Sequence, residues 1–93
     1  MKKVEVRWSR KARTDLIDIW LWIVQDKQDF LTADRWARKL SEAAENLKHH
    51  PNMGKRGRRA GRRQLTVEPW VIHYSVVGRI LWIWRIDHGK QIR

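Results

Sequence analysis

The sequence predicts an α+β domain of order β-α-α-β-β-β, in which an antiparallel helical hairpin packs on a mostly antiparallel four-stranded sheet. Three observations carry that prediction. A short alternating segment precedes two stretches of helical period, a glycine-rich cationic segment without apolar period follows them, and two strand-like runs close the chain around one glycine. Helices grouped ahead of strands point to segregated layers. Ninety-three residues support one hydrophobic core and not two, so residues 1–93 are expected to form a single domain.

From Lys3 to Trp8, Val4, Val6 and Trp8 alternate with Lys3, Glu5 and Arg7, the period of a half-buried strand. Ser9 can cap the first helix, along which Ala12, Leu16, Ile19, Trp20 and Ile23 recur at helical spacing. Ile17, Leu21 and Val24 widen the stripe, so this helix is expected to be heavily buried. Thr32 is the expected cap of the second helix, with Leu31 and Trp36 placed as a hydrophobic staple. Ala33, Trp36, Ala37, Leu40, Ala44 and Leu47 then share one face, and Lys48, His49 and His50 suit the negative end of the helix dipole before Pro51.

Pro51 to Gly61 reads as a loop holding four cations. A strand follows through Arg63, Leu65 and Val67 and ends at Glu68-Pro69. Trp70 to Val76 and Ile80 to Ile86 form a tight hairpin about Gly78, and the apolar character of both faces of the last run places it inside the sheet.

Lysine and arginine number 21 against 10 aspartates and glutamates, for a net charge of +11, and the excess is lopsided. Residues 46–93 hold eleven basic side chains and only Glu68 and Asp87, which directs the positive field from the C-terminal half toward polyanions. At 33% charged residues, with a longest apolar stretch of Ile19 to Val24, the chain is not expected to span a bilayer. Met1-Lys2-Lys3 leads into no apolar run, so a cytoplasmic location is expected. No cysteine is present, which removes disulfides and thiolate chemistry. Most of the seven tryptophans are expected in the core.

No motif for a cofactor or metal emerges. Gly54, Gly57 and Gly61 follow a helix and fit no phosphate-binding fingerprint, and the four histidines have no metal-ligand spacing. The helix carboxylates are expected on solvated faces among basic neighbours. What remains is cationic: Lys55, Arg56, Arg58, Arg59, Arg62, Arg63, Arg85, His88 and Lys90. Such a cluster can clamp phosphates, with His88 able to move a proton near neutral pH, or it can dock an acidic protein.

Taken in order, the opening V-R-W-S-R-K-A-R-T-D-L-I-D-I-W, the helical A-D-R-W-A-R-K-L, the H-P-N-M-G loop, R-A-G-R-R-Q-L, the strand pair W-V-I-H-Y-S-V and I-L-W-I-W-R-I, and the closing D-H-G-K-Q resemble the RelE/ParE toxin superfamily of type II toxin–antitoxin systems. The D-L-x-D-I-W helix, the H-P-x-M-G loop and the closing histidine look most like its ParE, or plasmid-stabilisation, branch. That resemblance implies a toxin that poisons DNA gyrase by binding it. It also implies neutralisation by an acidic antitoxin of ribbon-helix-helix type, with operator DNA contacted only through that antitoxin. Trp20, Trp22 and Trp36 are then the expected antitoxin contacts, Trp22 because it lies off the main helix stripe. The RelE-like branch of ribosome-dependent mRNA interferases is the alternative, with Arg62, Arg63, Arg85 and His88 as its catalytic set. Against it, the only tyrosine, Tyr74, lies in a middle strand, and no lysine pair precedes the second strand.

Overall fold

The computed structural model describes residues 4–89. Its elements run β1 (Glu5–Trp8), α1 (Arg10–Lys27), α2 (Phe30–Asn46), β2 (Lys55–Arg56), β3 (Arg62–Val67), β4 (Trp70–Val77) and β5 (Ile80–His88). Lys3 and Lys90 lie outside the described residues.

The five strands form one sheet in the order β1-β5-β4-β3-β2, with β1 parallel to β5 and the other pairs antiparallel. A parallel neighbour requires a long crossover, and the helical hairpin supplies it. Burial of β5 between β1 and β4 accounts for its two apolar faces. The fifth strand is β2, in the segment expected to be loop: Lys55 and Arg56 pair with Gln64 and Arg63. With no apolar period, only the backbone ladder reveals such a strand.

Ser9 caps α1, its Oγ accepting the Ala12 N–H at 3.0 Å. Gln28 ends the helix in the left-handed region (φ 51°), and Asp29 caps α2 in place of Thr32. One Asp29 oxygen accepts the Leu31 N–H at 3.0 Å and the other takes the Thr32 hydroxyl, so the expected cap serves the actual one. Leu31 is exposed and forms no staple.

The core lies between the hairpin and one sheet face, where Ile19, Ile23, Leu40 and Leu47 meet Ile72, Tyr74, Leu81 and Ile83. The buried stripe of α1 is narrower than the sequence suggests: Ala12, Asp15, Ile19 and Ile23 are buried, while Ile17, Leu21 and Trp22 are 44–59% exposed. Of the tryptophans only Trp70 is fully in the core. Trp8, Trp20 and Trp36 pack partly against it.

Asp15 corrects the expectation of solvated helix carboxylates. It is buried, accepts from Lys11 Nζ, and takes the Ile86 backbone N–H at 3.0 Å. Because β1 stops at Trp8, the far half of β5 lacks a strand partner on that side. Polar side chains take its place: Ser9 Oγ donates to the Trp84 carbonyl at 2.8 Å and Asp15 accepts from Ile86.

Candidate functional site

The strands β4 and β5 are joined by a two-residue turn that sets Val77 opposite Ile80 and Tyr74 opposite Ile83, but His73 faces Arg85. Trp84 is thus an extra residue, a bulge, and it changes which side chains share a face. Leu81, Ile83 and Ile86 turn toward the helices. Trp82, Trp84, Arg85 and Asp87 gather on the opposite face.

There the Arg62 guanidinium lies 4.6 Å from the centre of the Trp84 ring, and Trp84 stacks on Trp82 at 5.5 Å. The Trp84 Nε1–H donates to Ser75 Oγ at 2.7 Å. Asp87 Oδ2 stands 3.0 Å from His73 Nε2 and 3.1 Å from Arg85 Nε. Burial pushes His73 below the usual imidazole range, the positive charge of Arg85 adds to that, and Asp87 pulls partly the other way. Burial thus favours the neutral form of His73, and its Nε2 is enclosed. The face offers a cationic and aromatic surface over an enclosed imidazole.

The sequence-derived cationic set is divided. Arg62 and Arg85 share this outer face. Arg63 falls on the other parity of β3 and donates to the Gly54 carbonyl at 2.8 Å and more weakly to that of Asn52 at 3.4 Å. Lys55, Arg56, Arg58 and Arg59 are exposed on the hairpin between β2 and β3. His88 lies toward the helices: it pairs across the sheet with Trp70, and their rings meet edge-on at 5.2 Å. It borders a depression shared with Lys11, Asp18 and Trp22. The structure thus places His88 on the opposite side of the sheet from Arg62 and Arg85.

Sequence reasoning missed His73, Asp87, Trp82 and Trp84 as members of the site. A count from the Gly78 turn sets His73 opposite Trp84, and only the bulge brings it to Arg85.

Beneath the hairpin, Tyr74 is wholly buried, donates to the Pro51 carbonyl at 2.7 Å and accepts the Gly54 N–H at 2.9 Å. A side chain at Gly54 would bring its Cβ to 2.7 Å of the Gln64 carbonyl and 2.8 Å of the Tyr74 ring. The H-P-N-M-G segment is therefore a structural latch.

On the helices, Trp20 donates its Nε1–H to Asp34 at 2.8 Å and rests beside Phe30, Trp22 meets Trp70 edge-on at 6.2 Å, and Trp36 lies under Lys39. Among the described residues no group of three or more histidines and carboxylates is placed to hold a metal, and no helix is long and apolar enough to cross a membrane.

Residues 6–93 match the family described as the ParE toxin of the type II toxin–antitoxin system, parDE. Among characterised relatives, Toxin RelE2 of Caulobacter vibrioides is 33% identical over 88 residues, covering 95% of this chain and 98% of the relative. Toxin ParE1 of the same organism is 37% identical over 76 residues, covering 80% and 78%. A solved structure of the chromosomal ParDE system from P. aeruginosa superposes with a TM-score of 0.84 at 28% identity, over 92% of this chain and 96% of that one. The toxin–antitoxin complex RelBE2 from Mycobacterium tuberculosis shares the fold, with a TM-score of 0.71 at 23% identity and 92% and 98% coverage.

Proposed function

Because the chain belongs to the ParE toxin family, within the RelE/ParE superfamily of type II toxin–antitoxin systems, we propose that it inhibits DNA gyrase by direct binding and is silenced by a cognate antitoxin. One observation carries the preference for binding over catalysis. The β5 register separates His88 from Arg62 and Arg85, and the imidazole that does stand beside those arginines, His73, has its Nε2 enclosed against Asp87 at 3.0 Å. A general acid or base must reach the proton it transfers. Neither histidine combines that chemistry with the cationic face, whereas docking needs only the face.

For the antitoxin, support comes from the helical hairpin. Ile17, Leu21, Trp22, Phe30 and Leu31 are all exposed there, and exposed apolar side chains on a helical face suit a partner's docking. An acidic antitoxin segment laid across it would cover those side chains and meet a strongly positive chain.

The mRNA-interferase reading keeps one specific observation in its favour. Arg62 over the stacked Trp82 and Trp84 forms a platform on which a base can stack while Arg85 holds a phosphate.

The deciding experiment adds the purified chain to gyrase with supercoiled plasmid and, in parallel, to translating ribosomes. The expected result is lost supercoiling activity or trapped DNA breaks, with intact mRNA. Site-specific mRNA cleavage together with unaffected gyrase would replace this reading with the RNase one.

A further inference from the structure

The hairpin that joins β2 to β3 is the most densely charged part of the chain, and its charge has one sign. Between Glu45 and Glu68 the sequence holds seven lysines and arginines and no carboxylate. Backbone bonds fix the ribbon: Gly57 N–H donates to the Arg62 carbonyl at 2.8 Å, Arg62 N–H to that of Arg59 at 3.1 Å, and Gly61 turns the tip at φ 78°. Arg62 is engaged with Trp84, and Arg63 with the carbonyls of the Gly54 latch, which ties the ribbon to the body. Lys55, Arg56, Arg58 and Arg59 are exposed, and none of them pairs with a carboxylate among the described residues. The ribbon also carries a concavity of about 530 Å³ lined wholly by residues 56–63.

We infer that this hairpin binds duplex DNA through its phosphates, without regard to sequence. The inference stands apart from the gyrase reading, because it concerns what the chain itself holds. Four unneutralised cations on a hydrogen-bonded two-stranded ribbon match a polyanion whose condensed counterions are released on contact. An acidic protein fits less well, since protein interfaces centre on apolar and aromatic anchors and residues 55–63 offer none but Ala60. A single strand fits the four free cations less well, because residues 55–61 carry no aromatic ring for bases to stack on and the Trp84 ring lies beneath Arg62. Duplex RNA fits less well, because a two-stranded ribbon enters the wide B-form major groove but not the deep, narrow A-form one. This contact is direct and independent of sequence, and so differs in kind from the recognition of operator DNA that is expected to run through the antitoxin.

The test titrates the full chain against a short fluorescent duplex of mixed sequence from about 50 to 200 mM salt, with a single-stranded RNA of equal length and polyglutamate as parallel probes. Wild type should prefer the duplex, with affinity falling steeply as salt rises. The R56Q/R58Q/R59Q variant should bind at least about tenfold more weakly at low salt, and its log–log salt slope should shrink by roughly two to three. R56K/R58K/R59K should keep the binding, since a phosphate accepts lysine as a point charge. R10Q/R35Q/R38Q, which removes the same charge from the helices, should stay within about twofold of wild type. Arg58→Glu alone at the exposed tip gives a second readout with little risk to the fold, and should also lower affinity more than any single helix change. Equal losses from the two glutamine triples would overturn the inference, as would tighter binding of polyglutamate or of the single-stranded RNA through the same arginines.

Discussion

Asp15 on α1 accepts the backbone N–H of Ile86 on β5 at 3.0 Å, joining residues 71 positions apart where the sheet has no strand to do so. Asp15→Ala would leave a buried donor without an acceptor, and the expected loss is about 2–3 kcal/mol of folding stability. Asp15→Asn keeps an acceptor oxygen and should lose less, about 1 kcal/mol. Urea unfolding of the two variants checks the order, and equal losses would show that the charge matters more than the acceptor.

The Tyr74 latch makes a second prediction. Tyr74→Phe strands the Gly54 N–H and the Pro51 carbonyl, at a cost of about 1–3 kcal/mol. Gly54→Ala forces a Cβ into the Gln64 carbonyl and the Tyr74 ring, and should be at least as damaging. Burial raises Tyr74 above the usual phenol pKa of 10.0. The stability this group contributes is therefore fully present below that pH and is lost as pH rises beyond it. In urea titrations carried above pH 10, wild type should lose stability more steeply than Tyr74→Phe does.

His73 titrates in the opposite direction. Its folded pKa is depressed below 6.5, chiefly by burial and then by Arg85, with Arg62 adding slightly and Asp87 opposing. Its contribution is present above 6.5 and is lost as pH falls through the folded value. Unfolding midpoints measured from neutral pH into the mildly acidic range should decline in wild type and decline less in His73→Gln. Parallel curves would mean that Asp87 fully compensates the imidazole charge.

Trp22 is 52% exposed, with its ring edge-on to Trp70 beside the depression that holds His88. If the antitoxin covers this corner, Trp22→Ala should weaken binding by about 2 kcal/mol, as a buried tryptophan anchor does. Calorimetry with the purified antitoxin measures it. A change of only a few tenths of a kcal/mol would move the antitoxin elsewhere. The association rate should also fall as salt is raised, because the Debye length shrinks below roughly 10 Å.

His88→Gln separates the two toxin mechanisms. For a gyrase binder His88 is one contact among several, and inhibition should weaken by about 1 kcal/mol. An RNase that used it for proton transfer would lose roughly 10²- to 10⁴-fold in cleavage rate. The placement of His88 away from Arg62 and Arg85 favours the smaller effect.

Apart from β2, the order of the elements was legible in the sequence, as were the Ser9 cap, the interior position of β5 and the concentration of positive charge in the C-terminal half. Those features rest on short-range physics: period, capping chemistry and composition act within a few residues. Its motifs also sufficed to place the chain in its superfamily. Which cationic and aromatic side chains meet depends on strand pairing across the sheet. The bulge at Trp84 answers to pairing across two strands and to Ser9, which binds the bulged carbonyl from 75 residues away. It brings His73 and Asp87 to Arg85 and sends His88 to the helix side. Asp15 appeared as a charged residue on a helix, and its burial follows from β1 ending at Trp8, four residues into a sheet edge that β5 continues. No local pattern in α1 records that missing strand, because the donor it leaves behind belongs to a part of the chain folded against it from the far end.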